Sequence, residues 1–161
     1  MIPDPVDKPA PLHREQSTTR DVVELVRLFF AATNSLRPTW NKAPRARRDA
    51  VMGFFAPNAV LTATGMSASF EGVPSIRRFL EDWSRPYTEQ EFEAQEILDL
   101  GHGIALSVNE HLGLLAGSAR ELRLRGGWVY EWVDGMIVGL TLYLDPDEAR
   151  AAAKRLAEER G

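Results

Sequence analysis

An alternating aromatic strand followed by a two-residue turn constrains the fold of this chain more than any other feature. Three large aromatic residues occupy every second position near the end of segment 121–133: Trp128, Tyr130 and Trp132. Alternate side chains of a strand share one face, so this pattern predicts a strand with one aromatic face. Asp134-Gly135 follows at once, and Asp-Gly is a strong hairpin signal. We therefore expect Ile137 to Leu144 to pair back along this strand.

The rest of the sequence predicts helices, a small hairpin and then a mostly antiparallel sheet. Apolar spacing predicts helices at about 19–34 and 45–55, a third opened by Gly72-Val73-Pro74, and a last one from Pro146 to about Glu159. Further strands are predicted at 59–64, 67–70, 92–98 and 104–115. The last helix is expected to pack weakly because its apolar residues are mostly alanines. This order predicts an α+β fold, in which three helices cover a curved sheet and leave an apolar pocket.

Composition indicates a single domain and argues against several functional classes. The 161 residues fit one domain, predicted at 17–161, behind a proline-rich flexible arm at 1–16. The net charge of −4 gives no reason to expect nucleic acid, and no apolar run is long enough for a membrane span. Cysteine is absent, and His13, His102 and His111 lack metal-ligand spacing, so neither a metal nor another cofactor is predicted. The first residues lack a secretory signal, which predicts a cytoplasmic protein.

Three motifs resemble the NTF2-like superfamily, in its SnoaL-like and ketosteroid-isomerase-like branch. They are Phe54-Phe55-Ala56-Pro57-Asn58-Ala59-Val60, the segment Phe70 to Phe79 with its leading glycine, and the closing hairpin from Trp128 to Asp145. Together the resemblance spans about residues 20–150. It implies a cone-shaped barrel, a strongly bent antiparallel sheet covered by about three helices. Because this fold hosts isomerases, cyclases, hydrolases and proteins without chemistry, it does not fix the function.

The acids used by several relatives have no counterpart here. The resemblance places the aspartate base of a ketosteroid isomerase at Ala63 and its second acid at about Trp128, and neither residue carries a carboxylate. The corresponding residues of limonene-epoxide hydrolase-like members fall at Asn109, His111 and about Leu142, again without an acid. SnoaL-like cyclases use a histidine on the long strand, which matches His111.

His111 is therefore the predicted general acid/base, with Asn109 and Tyr130 as polar anchors. Ser107, Asn109 and His111 share one face of the strand 104–115, and by resemblance this face lines the pocket. If the facing were reversed, Glu110 would be the pocket acid. A histidine on a strand is also commonly a hydrogen-bonded structural residue. Two hypotheses stay open: a cofactor-independent isomerase, cyclase, dehydratase or hydrolase, and a binding or accessory domain without chemistry.

The aromatic residues predict what such a pocket would hold. The ligand-binding set is predicted to comprise Trp128, Trp132, Phe30, Phe55, Trp83, Trp40 and Ser107. Pockets are lined mainly by apolar and aromatic groups, so the expected partner is a small hydrophobic molecule, either aromatic or polycyclic. The basic segment Arg37 to Arg48 is expected to be a solvated charge run. A homodimer through the outer sheet face is also predicted.

Overall fold

The computed structural model describes residues 21–161 and confirms the predicted α+β architecture. The helices are α1 Val22–Asn34, α2 Arg45–Met52, α3 Val73–Ser84 and α4 Pro146–Arg160. The strands are β1 Phe55–Ala63, β2 Ala68–Glu71, β3 Tyr87–Gly101, β4 Ile104–Leu115, β5 Glu121–Val133 and β6 Met136–Tyr143, with short 3-10 turns at Trp40–Lys42 and Thr64–Met66. Within this part of the chain, no helix combines the length and apolar character that a membrane crossing requires.

The six strands form one mixed sheet in the order β2-β1-β6-β5-β4-β3. Strands β3 to β6 are antiparallel neighbours, as the sequence predicts. The predicted Asp134-Gly135 turn joins β5 to β6, and both residues adopt the positive φ angles that this tight hairpin requires. Strand β1 pairs in parallel with β6, with Leu61 opposite Leu140. No sequence pattern predicted that pairing, because the two strands are distant in the chain.

The first helix begins at Val22, not at about residue 19. Asp21 is its N-cap, and the Asp21 carboxylate accepts a hydrogen bond from the Val23 N–H (2.9 Å). The predicted arm 1–16 and His13 lie outside the described residues.

Two strands begin earlier than the sequence patterns indicate. Helix α2 ends at Met52, and β1 begins at Phe55, because the Phe54 carbonyl accepts from the Ile137 N–H of β6 (2.7 Å). Strand β3 begins at Tyr87, five residues before the predicted start, and pairs with β4 along its whole length. In both places tertiary pairing extends a strand beyond the segment with clear alternation.

The inner face of the sheet and the first helices share an aromatic core. Its centre is Phe29, a buried residue of α1. Edge-to-face contacts join Phe29 to Phe54 (centroids 5.4 Å apart), Phe55 (5.9 Å), Tyr130 (6.1 Å) and Trp128 (6.5 Å). Such contacts fix the orientation of the rings and bury apolar area, so Phe29 packs α1 against β1 and β5.

The outer face of the sheet is covered by α4, and the expectation that this helix packs weakly is wrong. Ala149, Ala153 and Ala157 recur at every fourth position and are buried against Ile104, Leu106 and Val129. Gly127 lies beneath the helix, and a Cβ added there would stand 2.5 Å from the Ala149 Cβ. Small side chains on both surfaces therefore allow a close approach between helix and sheet.

The close approach of α4 predicts that Ala153→Leu destabilises the protein. The larger side chain would be forced into a packed interface, which costs about 1–3 kcal/mol. Urea denaturation would measure this loss in the free energy of unfolding. Ala151→Leu is the matched control, because Ala151 lies on the exposed side of the same helix and should change stability by about 0.5 kcal/mol or less. Equal effects of the two substitutions would contradict the packing described for α4.

The outer face beyond α4 is largely polar. Arg123 forms an ion pair with Glu110 (2.6 Å), and the Arg125 Nε donates to the Gln95 side chain (3.2 Å). The predicted homodimer through this face stays a prediction. A second copy would meet these paired polar groups rather than Leu106, which α4 covers.

Candidate functional site

His111 is buried on the inner face of β4 among aromatic rings. Its imidazole stacks on Phe92, with centroids 4.6 Å apart and an interplanar angle of 11°. The rings of Trp83 and Tyr87 lie 5.6 Å and 5.1 Å away. Glu110 faces the opposite side and pairs with Arg123, so the reversed facing is excluded.

The environment of His111 favours its neutral form. The Gln90 side-chain nitrogen lies 3.2 Å from the His111 Nε2. Because an amide N–H can only donate, Nε2 accepts this bond and the imidazole proton lies on Nδ1. Burial lowers the pKa of His111 to about 4. The neutral imidazole therefore predominates at pH 7.

Asn109 is a buried amide whose polar atoms have no protein partner. Its side chain lies two residues before His111 on the same face of β4 and is 2% exposed. Neither Oδ1 nor Nδ2 forms a hydrogen bond within the described chain. An unpaired buried polar group costs about 1–3 kcal/mol, and native proteins rarely leave one without a reason.

Asn109 and His111 both border a cavity of about 160 Å³. We name it the outer cavity to distinguish it from a second, smaller cavity; like these two residues, it lies on the inner face of the sheet and not on the face that α4 covers. Trp83, Phe92 and Trp128 form its aromatic walls. Its rim includes three exposed apolar side chains: Met66, Leu124 and Leu144. The positions where the resemblance places acids in other enzymes also lie on this cavity, namely Ala63, Trp128 and Leu142. No Asp or Glu residue of the described chain borders it.

A smaller cavity of about 50 Å³, the inner cavity, lies beyond the same aromatic walls. Trp83, Phe92, Trp128 and Leu142 border both cavities. Trp40 and Phe55, two predicted ligand-binding residues, border the inner one. Its lining also includes three buried polar residues: Thr39, Ser84 and Gln90. Asn109, His111 and these three make up the buried polar residues of the described chain except Ser107, so most of the polarity of the core borders a cavity.

The segment around Trp40 is a fixed wall of the inner cavity. Leu36, Trp40 and Ala43 are buried, whereas Arg37 and Arg45 are exposed. The Pro38 carbonyl accepts from the Gln90 N–H of β3 (2.8 Å). Arg37 forms an ion pair with Glu91. The basic segment is therefore solvated along one side, as predicted, while its apolar residues join the core.

Four predicted site residues lie in the packed core and border neither cavity. The Tyr130 hydroxyl shares a hydrogen bond of 2.8 Å with the Ser107 hydroxyl, and burial raises the pKa of Tyr130. Trp132 stacks on Tyr130 (6.0 Å), and Phe30 stacks on Trp128 (5.4 Å). The roles of Tyr130, Ser107, Trp132 and Phe30 in ligand contact stay predictions.

Gln90 is a site residue that sequence reasoning did not find. It borders the inner cavity, and its side chain bonds to His111 at the outer one. The sequence pattern predicts a strand that begins only at Phe92, so it does not include Gln90. The alternation of Gln90 and Phe92, both buried, is the signal that would have extended the strand.

Comparison with known proteins identifies the family to which this geometry belongs. A family model for the SnoaL-like domain matches residues 26–140, which include all but the first four residues of α1, the buried polar residues of both cavities and the β4–β5 pair. The chain belongs to the SnoaL-like domain family. The predicted membership is thereby confirmed. No curated protein matches the sequence significantly.

Solved structures of the same fold are similar in shape and distant in sequence. A protein from Jannaschia sp., provisionally assigned as a SnoaL-like polyketide cyclase, has a TM-score of 0.63 and 14% identity over 82% of this chain and 90% of that chain. A protein from Catenulispora acidiphila with a ketosteroid isomerase-like fold, in complex with trimethylamine, has a TM-score of 0.62 and 12% identity over 81% of this chain and 92% of that chain. TerC, crystallised with polyporic acid, gives 0.60 and 11% over 84% and 97%. At these identities the likeness establishes the fold, which in this SnoaL-like chain is the cone-shaped NTF2-like one.

Proposed function

We propose that this SnoaL-like chain binds a small, mainly apolar molecule in the outer cavity, with the Asn109 amide as its polar anchor. The observation that carries the proposal is the buried, unpaired amide on the wall of an aromatic cavity. A ligand with a donor and an acceptor side by side would satisfy both amide atoms, and so would remove the penalty for leaving them unpaired.

The size and walls of the outer cavity favour a ligand with one ring. Its volume of about 160 Å³ is close to the roughly 150 Å³ of an engineered apolar cavity that binds benzene. Trp83, Phe92 and Trp128 can contact such a ring, and these contacts suit an aromatic one. A polycyclic ligand would have to extend over the exposed rim formed by Met66, Leu124 and Leu144. TerC with polyporic acid and the trimethylamine complex are precedents for small molecules held by this fold.

The proposal is tested with a matched pair of probes, benzamide and toluene. Benzamide can pair with both polar atoms of Asn109, whereas toluene fills a similar volume without a polar group. We expect wild-type protein to bind benzamide about tenfold more tightly than toluene, since one net hydrogen bond contributes about 1 kcal/mol and relief of an unpaired group adds to it. Titration calorimetry measures both affinities. Failure of both probes to bind would overturn the proposal.

Asn109→Leu should separate binding from stability. The substitution replaces two unpaired polar atoms with an apolar side chain of similar size, so we expect unfolding of the unliganded variant to require the same free energy or about 1–3 kcal/mol more. The same variant should lose its preference for benzamide over toluene. A variant that is destabilised while its benzamide preference persists would contradict the anchoring role of Asn109.

Acid/base catalysis by His111 is the second candidate function, supported by the position of His111 on the same cavity as Asn109. A histidine whose pKa is about 4 accepts a proton less readily than one near neutrality, and its bonded partner is an amide rather than a carboxylate. Binding without chemistry is therefore the better-supported of the two. Exchange of the α-protons of cyclohexanone in D₂O, followed by NMR, tests the catalytic alternative. If wild-type protein accelerates this exchange and His111→Gln does not, His111 is a general base.

A further inference from the structure

The Trp40 indole presents an unpaired hydrogen-bond donor that the fold does not use. Trp40 is 3% exposed, and its Nε1 has no hydrogen-bond partner within the described chain. An indole N–H can only donate, and leaving it buried without an acceptor costs about 1–3 kcal/mol. Phenylalanine could fill the same core position without that penalty. The surrounding backbone is held by the bond from Gln90 N–H to the Pro38 carbonyl, so a loose loop does not explain the missing partner.

The inner cavity, which Trp40 borders, has the composition of a site for a neutral acceptor. Thr39, Ser84 and Gln90 bring polar side chains to its wall, while the other lining residues are mainly aromatic or aliphatic. None of its lining residues is charged. An anion in such a place would lose its hydration without gaining a counter-ion, so a carbonyl or ether oxygen suits the site better than a carboxylate or phosphate.

The inner cavity is too small to hold a ring but adjoins a cavity that can. Its volume of about 50 Å³ has room for a group of a few atoms, against about 160 Å³ for the outer cavity. Trp83, Phe92 and Trp128 border both spaces. The two cavities are therefore neighbours, separated by these shared aromatic side chains.

We propose that the inner cavity is a second subsite for the same ligand, where the Trp40 Nε1–H donates to a small neutral acceptor group on a molecule whose ring lies in the outer cavity. The ligand would therefore carry two separated polar groups, one paired with Asn109 and one with Trp40. This inference rests on the proposed binding function and specifies the class of ligand: single-ring molecules with an amide-like group and a second, carbonyl-like substituent.

Two nearly isosteric probes test the subsite. In 4-acetylbenzamide the second substituent carries a carbonyl oxygen, and in 4-isopropenylbenzamide a methylene group replaces that oxygen. We expect the acetyl compound to bind wild-type protein about tenfold more tightly, which corresponds to about 1.4 kcal/mol. The chain has four tryptophans, so a ¹⁵N-labelled sample gives few indole resonances to follow. The Trp40 indole proton should move downfield with the acetyl compound and much less with the other.

Trp40→Phe removes the donor and keeps an aromatic side chain, so it should bring the two affinities to parity. Phe54→Leu is the control, because Phe54 is also an aromatic residue packed against the core but borders neither cavity; its preference for the acetyl compound should persist. The wild-type comparison needs no variant and stands even if Trp40→Phe does not fold.

The outcomes separate this inference from the proposed function. If the acetyl compound binds and shifts the Asn109 side-chain resonances while the Trp40 indole resonance stays in place, the subsite is wrong and the binding function survives. The subsite is equally wrong if benzamide binds but neither substituted compound does, or if the two substituted compounds bind equally. If benzamide also fails to bind, both proposals are overturned.

Discussion

Gln90→Glu will raise the pKa of His111 by about 1–3 units from its value of about 4. In the native protein the Gln90 amide donates to the His111 Nε2, and this bond is available only to the neutral imidazole. A carboxylate in the same place would instead accept from a protonated imidazole and stabilise its charge. Proton NMR titration of the imidazole resonances measures the shift, and the His111 signal is identified by its loss in His111→Gln.

Gln95→Glu is the control for that experiment. Gln95 lies on the same strand, but its exposed side chain bonds to Arg125 on the outer face. The added charge should leave the His111 titration within about 0.3 units of wild type, since solvent screens the charge of an exposed side chain. A Gln90→Glu variant in which the pKa of His111 stays near 4 would contradict the hydrogen bond between these two side chains.

The depressed pKa of His111 also makes stability depend on pH. In the unfolded chain His111 takes up a proton near the ordinary histidine pKa of about 6.5, whereas in the folded chain it does so only near pH 4. The free energy of unfolding therefore decreases as the pH falls from about 6.5 to about 4. This group alone would remove up to about 3 kcal/mol. Gln90→Glu should lose less stability over the same range, because its folded state takes up the proton more readily. Urea denaturation at several pH values gives the comparison.

Phe29→Ala is expected to cause the largest loss of stability of the substitutions considered, about 3–5 kcal/mol. The ring makes edge-to-face contacts with Phe54, Phe55, Trp128 and Tyr130, so its removal leaves a void at the junction of α1, β1 and β5. Chemical denaturation reports the free energy of unfolding.

Leu28→Ala provides the comparison, because Leu28 is the preceding residue of the same helix and is 44% exposed. It should lower the free energy of unfolding by less than about 1 kcal/mol. Similar losses for the two variants would show that α1 does not pack on the sheet through Phe29.

Local signals predicted those parts of the fold where the turn chemistry is strong. Strands β4 and β5 have the bounds that the sequence indicated, and the Asp134-Gly135 turn marks the end of β5. The parallel pairing of β1 with β6 depends on long-range packing and leaves no local signature. The prediction that α4 packs weakly is wrong because the small size of alanine allows a helix to approach a sheet closely, which offsets its small apolar area.

The sequence predicted which face of each strand the site residues share, but not which of them border a cavity. Alternation predicts that Asn109 and His111 share one face of β4, and the family resemblance predicts that this face lines the pocket, where the structure has them. Alternation equally placed Trp128, Tyr130 and Trp132 on one face, yet only Trp128 borders the two cavities. Which part of a strand is covered depends on where α1 crosses it, and a periodic pattern does not contain that information.

The open edge of β3 has a consequence for how copies of this chain meet. An uncovered edge strand can template pairing with another chain. Here the Gln90 N–H donates to the Pro38 carbonyl. The Asn34 side chain donates to the Phe92 carbonyl and accepts from the Phe92 N–H. The remainder of the edge carries the carboxylates of Glu93 and Asp99, which would repel an identical strand. These contacts and charges therefore disfavour pairing of a second copy with the β3 edge.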